Sequence, residues 1–310
     1  MLSTRVLRPP PPGDLGIIHD IDAAATRADG YESLGSFVER DIDSPAPESI
    51  GILASEDETA VGYAHLAPSD TLADPHLVAA LVAHPDHRTN GDVAHVLLDV
   101  LVHEAAAAGA TRVVLWLNGA TDEFDKLSTA VGFERDSEQY QMRVPLPIAE
   151  CPAWPHGINV RAFVPGLDDA EWLRVNNRAF ENHPDQGDWA ELTLQRRIME
   201  SWFDPAGFLL AFQEGDDALV GFCWTKVHDT EPDGRMGEIY VIGVDPAHQG
   251  TGLGRALTVG GLEYLHVERQ CRTGFLYVDS ANPPALGLYR ALGFEIHRTD
   301  RSYTWRPVAP

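Results

Sequence analysis

Alternating apolar and polar residues predict strands at "GFLLAFQ" from Gly207, "ALVGFCWTKV" from Ala218, "EIYVIGV" from Glu238 and "GFLYV" from Gly274, with a short one around Val160. Helical spacing predicts helices over residues 168–180, 190–202 and 253–267. A last helix is opened by Asn282-Pro283-Pro284 and closed by Gly293, which places a cap, a first-turn proline and a terminating glycine where each belongs. Strands and helices mix throughout, so the fold class is α+β with a central mixed, mostly antiparallel sheet.

The pattern occurs twice. His84-Pro85 precedes Asp245-Pro246 by 161 positions, and the same offset separates Gly91 from Gly252, "LWLNGA" at Leu115 from "LYVDSA" at Leu276, and "GFE" at Gly132 from "GFE" at Gly293. Four matches in order at one spacing imply two copies of one fold. Pro-rich "VPLPIAECPAWPHG", residues 144–157, lies between them, so the expected domains are 1–146 and 158–310 with a linker at 147–157.

Composition narrows the function. Against 23 basic residues stand 47 acidic ones, a formal net charge of -24, which repels nucleic acid and anionic membrane. Cys151, Cys223 and Cys271 are too few and too scattered for a disulfide framework. The N-terminus lacks the apolar core of a signal peptide, and no run approaches a membrane span. A cytoplasmic protein is expected, a monomer acting on a small molecule. His84 and His87 are spaced HxxH without further ligand types nearby, His103-Glu104 lacks a second histidine, and GxSxG is missing, so neither a metal site nor a serine nucleophile is expected.

In the second copy a strand runs into Gly250, Gly252 and Gly254 and then into a helix. Glycines let the backbone approach a ligand, and free N–H groups at a helix start attract anions without requiring net positive charge. The spacing fits neither a P-loop nor the dinucleotide G-x-G-x-x-G.

What remains, Gln249 to Gly254 read as Q-x-x-G-x-G, together with "SANPPALGLYRALGFE" at 280–295, resembles the GCN5-related N-acetyltransferases. The resemblance implies that this loop binds the pyrophosphate of acetyl-CoA, the co-substrate, and that both halves are acetyltransferase-type domains. It implies cofactor contacts at Ile242, Gly243 and Val244 on the strand, at Gln249, Gly250, Thr251, Gly252, Leu253, Gly254 and Arg255 in the loop, and at Asn282, Pro283, Pro284, Ala285, Leu286 and Gly287. A second cofactor site in the first half would fall on Leu81, Val82, Ala83, Thr89, Asn90, Gly91, Asp92, Val93 and Ala94.

Further stretches, "RVNNRAFENHPDQGDW" from Arg174, "SWFDPAGFLLAF" from Ser201 and "FCWTKVH" from Phe222, resemble tandem members of that family from actinobacteria. Those members acetylate the free cysteinyl amine of a cysteine–glucosamine–inositol conjugate. This implies substrate contacts at Asp185, Lys226, Glu238 and Tyr277, residue types that suit a polyol bearing a cationic amine. It also implies a glutamate from the first half, where "DGYESLGSFVERD" presents Ser36, with Glu32 and Glu39 as candidates to replace it. Another small amine, such as an aminoglycoside or a peptide N-terminus, and a non-enzymatic acetyl-CoA-binding module are the alternatives.

Acetyl transfer to an amine needs a base and an acid. Glu238, leading its strand and sharing a face with Tyr240 and Ile242, is the expected base. Tyr289, two helical turns after Asn282, is the expected acid for the departing thiolate. At the 161-residue offset the first copy has Leu77 for Glu238, Ser128 for Tyr289, Thr121 for Asn282 and Val93 for Gly254. Asp92 would also oppose a bound pyrophosphate. The first half is therefore expected to be degenerate and non-catalytic, binding acetyl-CoA weakly or not at all.

Overall fold

The computed structural model describes residues 1–69, 75–88, 92–181, 187, 189–215, 218–230 and 234–307, except the side chains of 36, 37 and 230. By its contacts the chain divides into two units, Met1–Gln139 with Arg298–Pro310, and Tyr140–His297.

The first unit contains β1 (Leu2–Leu7), α1 (Pro12–Asp29), α2 (Gly35–Asp43), β2 (Ile50–Glu56), β3 (Thr59–Pro68), β4 (Leu77–Ala83), α3 (Asp92–Ala107), β5 (Val113–Leu117) and α4 (Asp122–Ala130). Its strands run β1-β2-β3-β4-β5 and then the chain's last strand β12 (Glu295–Trp305), whose Arg301–Trp305 pairs antiparallel with β5. Within this run only β4 and β5 pair in parallel. Successive residues of a strand face opposite sides of the sheet. Ala79 and Leu81 accordingly join α3 and α4 in one core with Leu97, Leu101 and Phe124, while Ala80 and Val82 join α1 and α2 in another with Ile18, Ile21 and Val38.

The second unit contains β7 (Ile158–Ala162), α5 (Asp169–Ala179), α6 (Glu191–Ile198), β8 (Phe208–Gln213), β9 (Leu219–Thr230), β10 (Gly234–Val244), α7 (Leu253–Val267), β11 (Thr273–Asp279) and α8 (Pro283–Ala291). The strand order is β11-β10-β9-β8-β7, and residues from 140 onward in β6 (Phe133–Pro145) run beside β11. Again one pair, β10 with β11, is parallel, and β10 with β9, β9 with β8 and β8 with β7 are antiparallel. On one face Phe208 stacks on Trp224, and Trp172 of α5 meets Phe208, Phe222 and Trp224 edge-on in an aromatic core. On the other, Cys223, Leu257, Leu262 and Tyr289 form an aliphatic core under α7 and α8. Helix α7 lies close because it presents glycine there: a Cβ on Gly261 would meet Cys223 Sγ at 2.6 Å.

Helix α7 has the bounds its apolar spacing predicts, whereas α6 ends at Ile198, short of 202. Trp202 and Phe203 instead turn into the aromatic core, each against Trp224. The expected domain bounds also differ from the contact-defined ones. The stretch at 147–157 packs within the second unit, with Trp154 against Gly260 of α7, and the chain's last residues belong to the first. Strand alternation says which face a residue takes, not which sheet the strand joins.

Candidate active site

The β10–β11 ladder runs from Met236 opposite Thr273 to Ile239 opposite Leu276. Among the described residues no ladder pairing joins the two strands beyond that, although β10 continues to Val244 and β11 to Asp279. Where the strands part, the register of β10 on β9 slips between Ile239 and Val241. This bulge adds one residue, so Tyr240 and Val241 both face the aromatic core while Ile239, Ile242 and Val244 face α7. Ile242 is therefore not on the face of Glu238 and Tyr240, as simple alternation expects; the bulge inverts the alternation after Tyr240.

Next to the opening, α7 begins. Its N-cap residue Gly252 has φ 87 and Gly250 has φ 77, both in the left-handed region. No side chain caps the helix, and around both glycines the space for a Cβ is open. The first N–H groups of α7 are thus left for a ligand, and an anion suits them. Helix α8 is different: Asn282 caps it by accepting from the Ala285 N–H at 3.2 Å. Of the other residues implied at the cofactor, Gly243, Leu253 and Leu286 are buried, Gln249, Thr251, Pro283, Pro284 and Gly287 are exposed, and Gly254 is half-buried. Arg255 is held by Glu150, with two hydrogen bonds of 2.8 and 2.6 Å.

Glu238 stands on β10 just before the bulge, 7% exposed and directly opposite Lys226 of β9. Two residues further along β9, His228 brings its Nε2 to 2.7 Å from Glu238 Oε2 and packs its ring 5.2 Å from that of Phe275. Lys226 sets its ammonium 4.9 Å from the Trp202 ring centre and 5.9 Å from that of Tyr240. Tyr277 of β11 is 42% exposed and its hydroxyl accepts from Gln141 Nε2 at 2.9 Å. Three of the four residues implied at the substrate thus lie on adjacent strands; Asp185 is outside the described residues.

Tyr289 sits on the other side of the sheet, in the core under α7 and α8, 6% exposed. Burial, with Cys223 nearby, pushes its phenol well above the usual range, so it keeps its proton. Cys223 is itself raised by burial and, with Cys271, is an inert core thiol.

In the first unit β4 parts from β5 after Ala79 opposite Leu115, so the opening is present, but the pairing of β3 with β4 is regular throughout. Because the bulge is missing, the residue that stands where Glu238 does is Val78, not Leu77 as the constant offset places it: Val78 pairs next to Ala79 just as Glu238 pairs next to Ile239. Thr121 caps α4 as Asn282 caps α8. Ser128, in the place of Tyr289, is buried and donates to its own helix at Asp125 O.

A cavity of about 290 Å³ fills this opening, lined by Leu81, Val82, Ala83, Val93 and Ala94 among others; Thr89, Asn90 and Gly91 are outside the described residues. Its arginine, Arg88, is locked by Asp29 at 2.6 and 2.8 Å, and Glu123 adds another carboxylate to the lining. Asp92 is exposed in the first turn of α3. The side chain of Ser36 is outside the described residues. Glu39 is half-buried, and burial with Glu32, Asp22 and Asp43 nearby pushes it up to about 7.

Residue-by-residue reading missed His228, Glu150 and Asp29. For His228 a signal exists: it alternates with Lys226 on the strand that forms a hairpin with that of Glu238. The partners of Glu150 and Asp29 are 105 and 59 residues distant and carry no local signal. Among the described residues no cluster of three or more His, Cys, Asp or Glu is arranged for a metal ion, and no helix is long and apolar enough to cross a membrane.

A model of the acetyltransferase (GNAT) family matches residues 170–294. Among solved structures, a GCN5-related N-acetyltransferase from Sphaerobacter thermophilus has a TM-score of 0.75 at 24% identity, covering 99% of this chain and 97% of its own. A tandem GNAT protein from the clavulanic acid biosynthesis pathway has 0.73 at 18%, covering 100% of both. Fold and site together define an N-acetyltransferase of the GCN5-related class, in tandem form. Sequence places it more narrowly. A mycothiol acetyltransferase of Acidimicrobium ferrooxidans is 41% identical over 303 residues, 95% of this chain and 94% of that one. Another from Streptomyces coelicolor is 41% identical over 283 residues, 90% and 87%. The chain belongs to the mycothiol acetyltransferase family.

Proposed function

We propose that the second unit transfers acetyl from acetyl-CoA to the cysteinyl amine of desacetylmycothiol, the cysteine–glucosamine–inositol conjugate, and that the first unit is not catalytic. The observation that carries the reading is the buried carboxylate of Glu238, held by His228 where β10 and β11 part, next to the uncapped start of α7.

The residues fit the co-substrate. The open N–H groups of α7 at Gly252 suit its pyrophosphate, and the stretch of β10 beyond its ladder with β11 suits the amide-bearing arm. Bound there, it supplies an acetyl group as an activated thioester. An α-amino group with pKa roughly 8 is mostly protonated at neutral pH, so the acceptor must give up a proton before it can attack. Glu238 takes that proton, directly or through water. Tyr289 holds its phenolic proton and donates it toward the sulfur that leaves. Lys226 and Tyr277 supply donors to the acceptor's hydroxyls.

The first unit has an opening without the groups for chemistry. Valine and serine stand at the two proton-transfer positions, and Asp29 neutralises the arginine that could meet a diphosphate.

Incubating the chain with acetyl-CoA and desacetylmycothiol, beside an aminoglycoside and a peptide N-terminus, tests the reading through release of free coenzyme A. Release with desacetylmycothiol is expected. Release with only another amine overturns the acceptor, and none with any amine overturns the enzyme.

A further inference from the structure

We propose that His228 is a positioning residue for Glu238, orienting its carboxylate and setting how strongly it binds the proton it takes from the acceptor. This rests on the reading of Glu238 as the base.

Two observations independent of that reading fix the pair. The 2.7 Å contact joins His228 Nε2 to Glu238 Oε2, and since a carboxylate only accepts, the ring nitrogen donates. The Phe275 ring, 5.2 Å away, holds the imidazole against rotation. With Oε2 engaged, Oε1 is the oxygen left to meet a proton. A hydrogen bond to the charged form also favours that form, so the donor weakens Glu238 as a proton trap and speeds its return to the carboxylate state between turnovers.

The pair lies among other charged and titratable groups. Lys226 of β9 stands directly across from Glu238, with Tyr240 of β10 near its ammonium. From β11 comes Tyr277, whose ring packs on Phe275, and from β6 come Gln141 on that hydroxyl and Arg143 on Gln141. Of the groups described on this face, His228 is the one whose hydrogen bond to Glu238 is direct.

The test uses the full chain with acetyl-CoA and desacetylmycothiol, measuring kcat, the KM for acetyl-CoA and the pH dependence of kcat for H228F, H228Q and E238Q. Phenylalanine keeps the packing on Phe275 without the donor. Its kcat should fall about tenfold or more, as the loss of a hydrogen bond to a charged group implies, with KM for acetyl-CoA unchanged and the acid limb moved to higher pH. Glutamine keeps a neutral donor. Its kcat should stay within a few-fold of wild type, with the acid limb closer to its wild-type position than in H228F.

An unmoved acid limb in H228F overturns the proposal, as does wild-type kcat in that variant. If H228F does not fold, H228A, which also removes the donor, decides in its place: a wild-type pH profile overturns the proposal, and an acid limb moved to higher pH supports it. E238Q separates the two layers. A wild-type rate there removes the underlying reading, whereas loss in E238Q beside normal H228F removes only the part assigned to His228.

Discussion

The two units share a framework and part company at a few side chains. Each begins with an arginine on its first strand bound to an aspartate near its first helix, Arg5 to Asp14 and Arg161 to Asp168. Each has one parallel strand pair that opens partway along, and each caps the helix after it with a side chain, Thr121 or Asn282. Against this sameness, β10 carries a bulge that β4 lacks, Val78 takes the position of Glu238, Ser128 that of Tyr289, and Arg88 is bound to Asp29. The framework is held by packing and is kept by both units. In the reading proposed above, chemistry rests on two proton-handling groups, and the first unit has valine and serine in their places.

The comparison breaks most sharply at Glu238. E238Q is expected to lower kcat by two orders of magnitude or more, the scale of general base catalysis. Adding V78E to that chain should restore nothing, because the first unit also lacks the bulge and the acid; coenzyme A release checks both.

Y289F should cost about a hundredfold in kcat if the phenol delivers a proton, while S128A should leave turnover at the wild-type rate. An unchanged Y289F would remove the tyrosine from the mechanism.

Gly252 sharpens the cradle. With φ 87 and open space around it, alanine would meet no clash but would bear a left-handed backbone costing about 1–2 kcal/mol. The KM for acetyl-CoA should rise about tenfold with kcat little changed.

The smallest effects belong to the shared framework. D14N and D168N should each lower stability by about 1 kcal/mol, as partly exposed ion pairs do. Both carboxylates are held below the usual range, first by the hydrogen bond from their arginine. Stability from a depressed carboxylate is present above its unfolded value and is lost as pH falls through the folded one. Denaturant melts should therefore show each deficit near neutral pH and its disappearance on acidification; a deficit confined to one unit would break the symmetry.

Much of this was legible in the sequence. The 161-residue offset is anchored by identical residues, and α7 announces itself by glycines before it and apolar spacing within it. The same offset hides the bulge. All four matches lie after the bulge and keep a constant spacing, while before it Glu238 structurally matches Val78, 160 positions earlier, and no identical residue marks the slip. Nor does alternation say that Arg301–Trp305 pairs with β5, because any strand of that pattern presents one apolar face. The ion pairs that tie up Arg88 and Arg255 depend on partners brought together only by the fold.

The central claim is that one of the two openings is a working cradle and the other is closed to a diphosphate. Calorimetric titration of the full chain with acetyl-CoA tests it most directly. The expected result is one tight site per chain, weakened by G252A; two sites of equal affinity, one of them untouched by G252A, would contradict it.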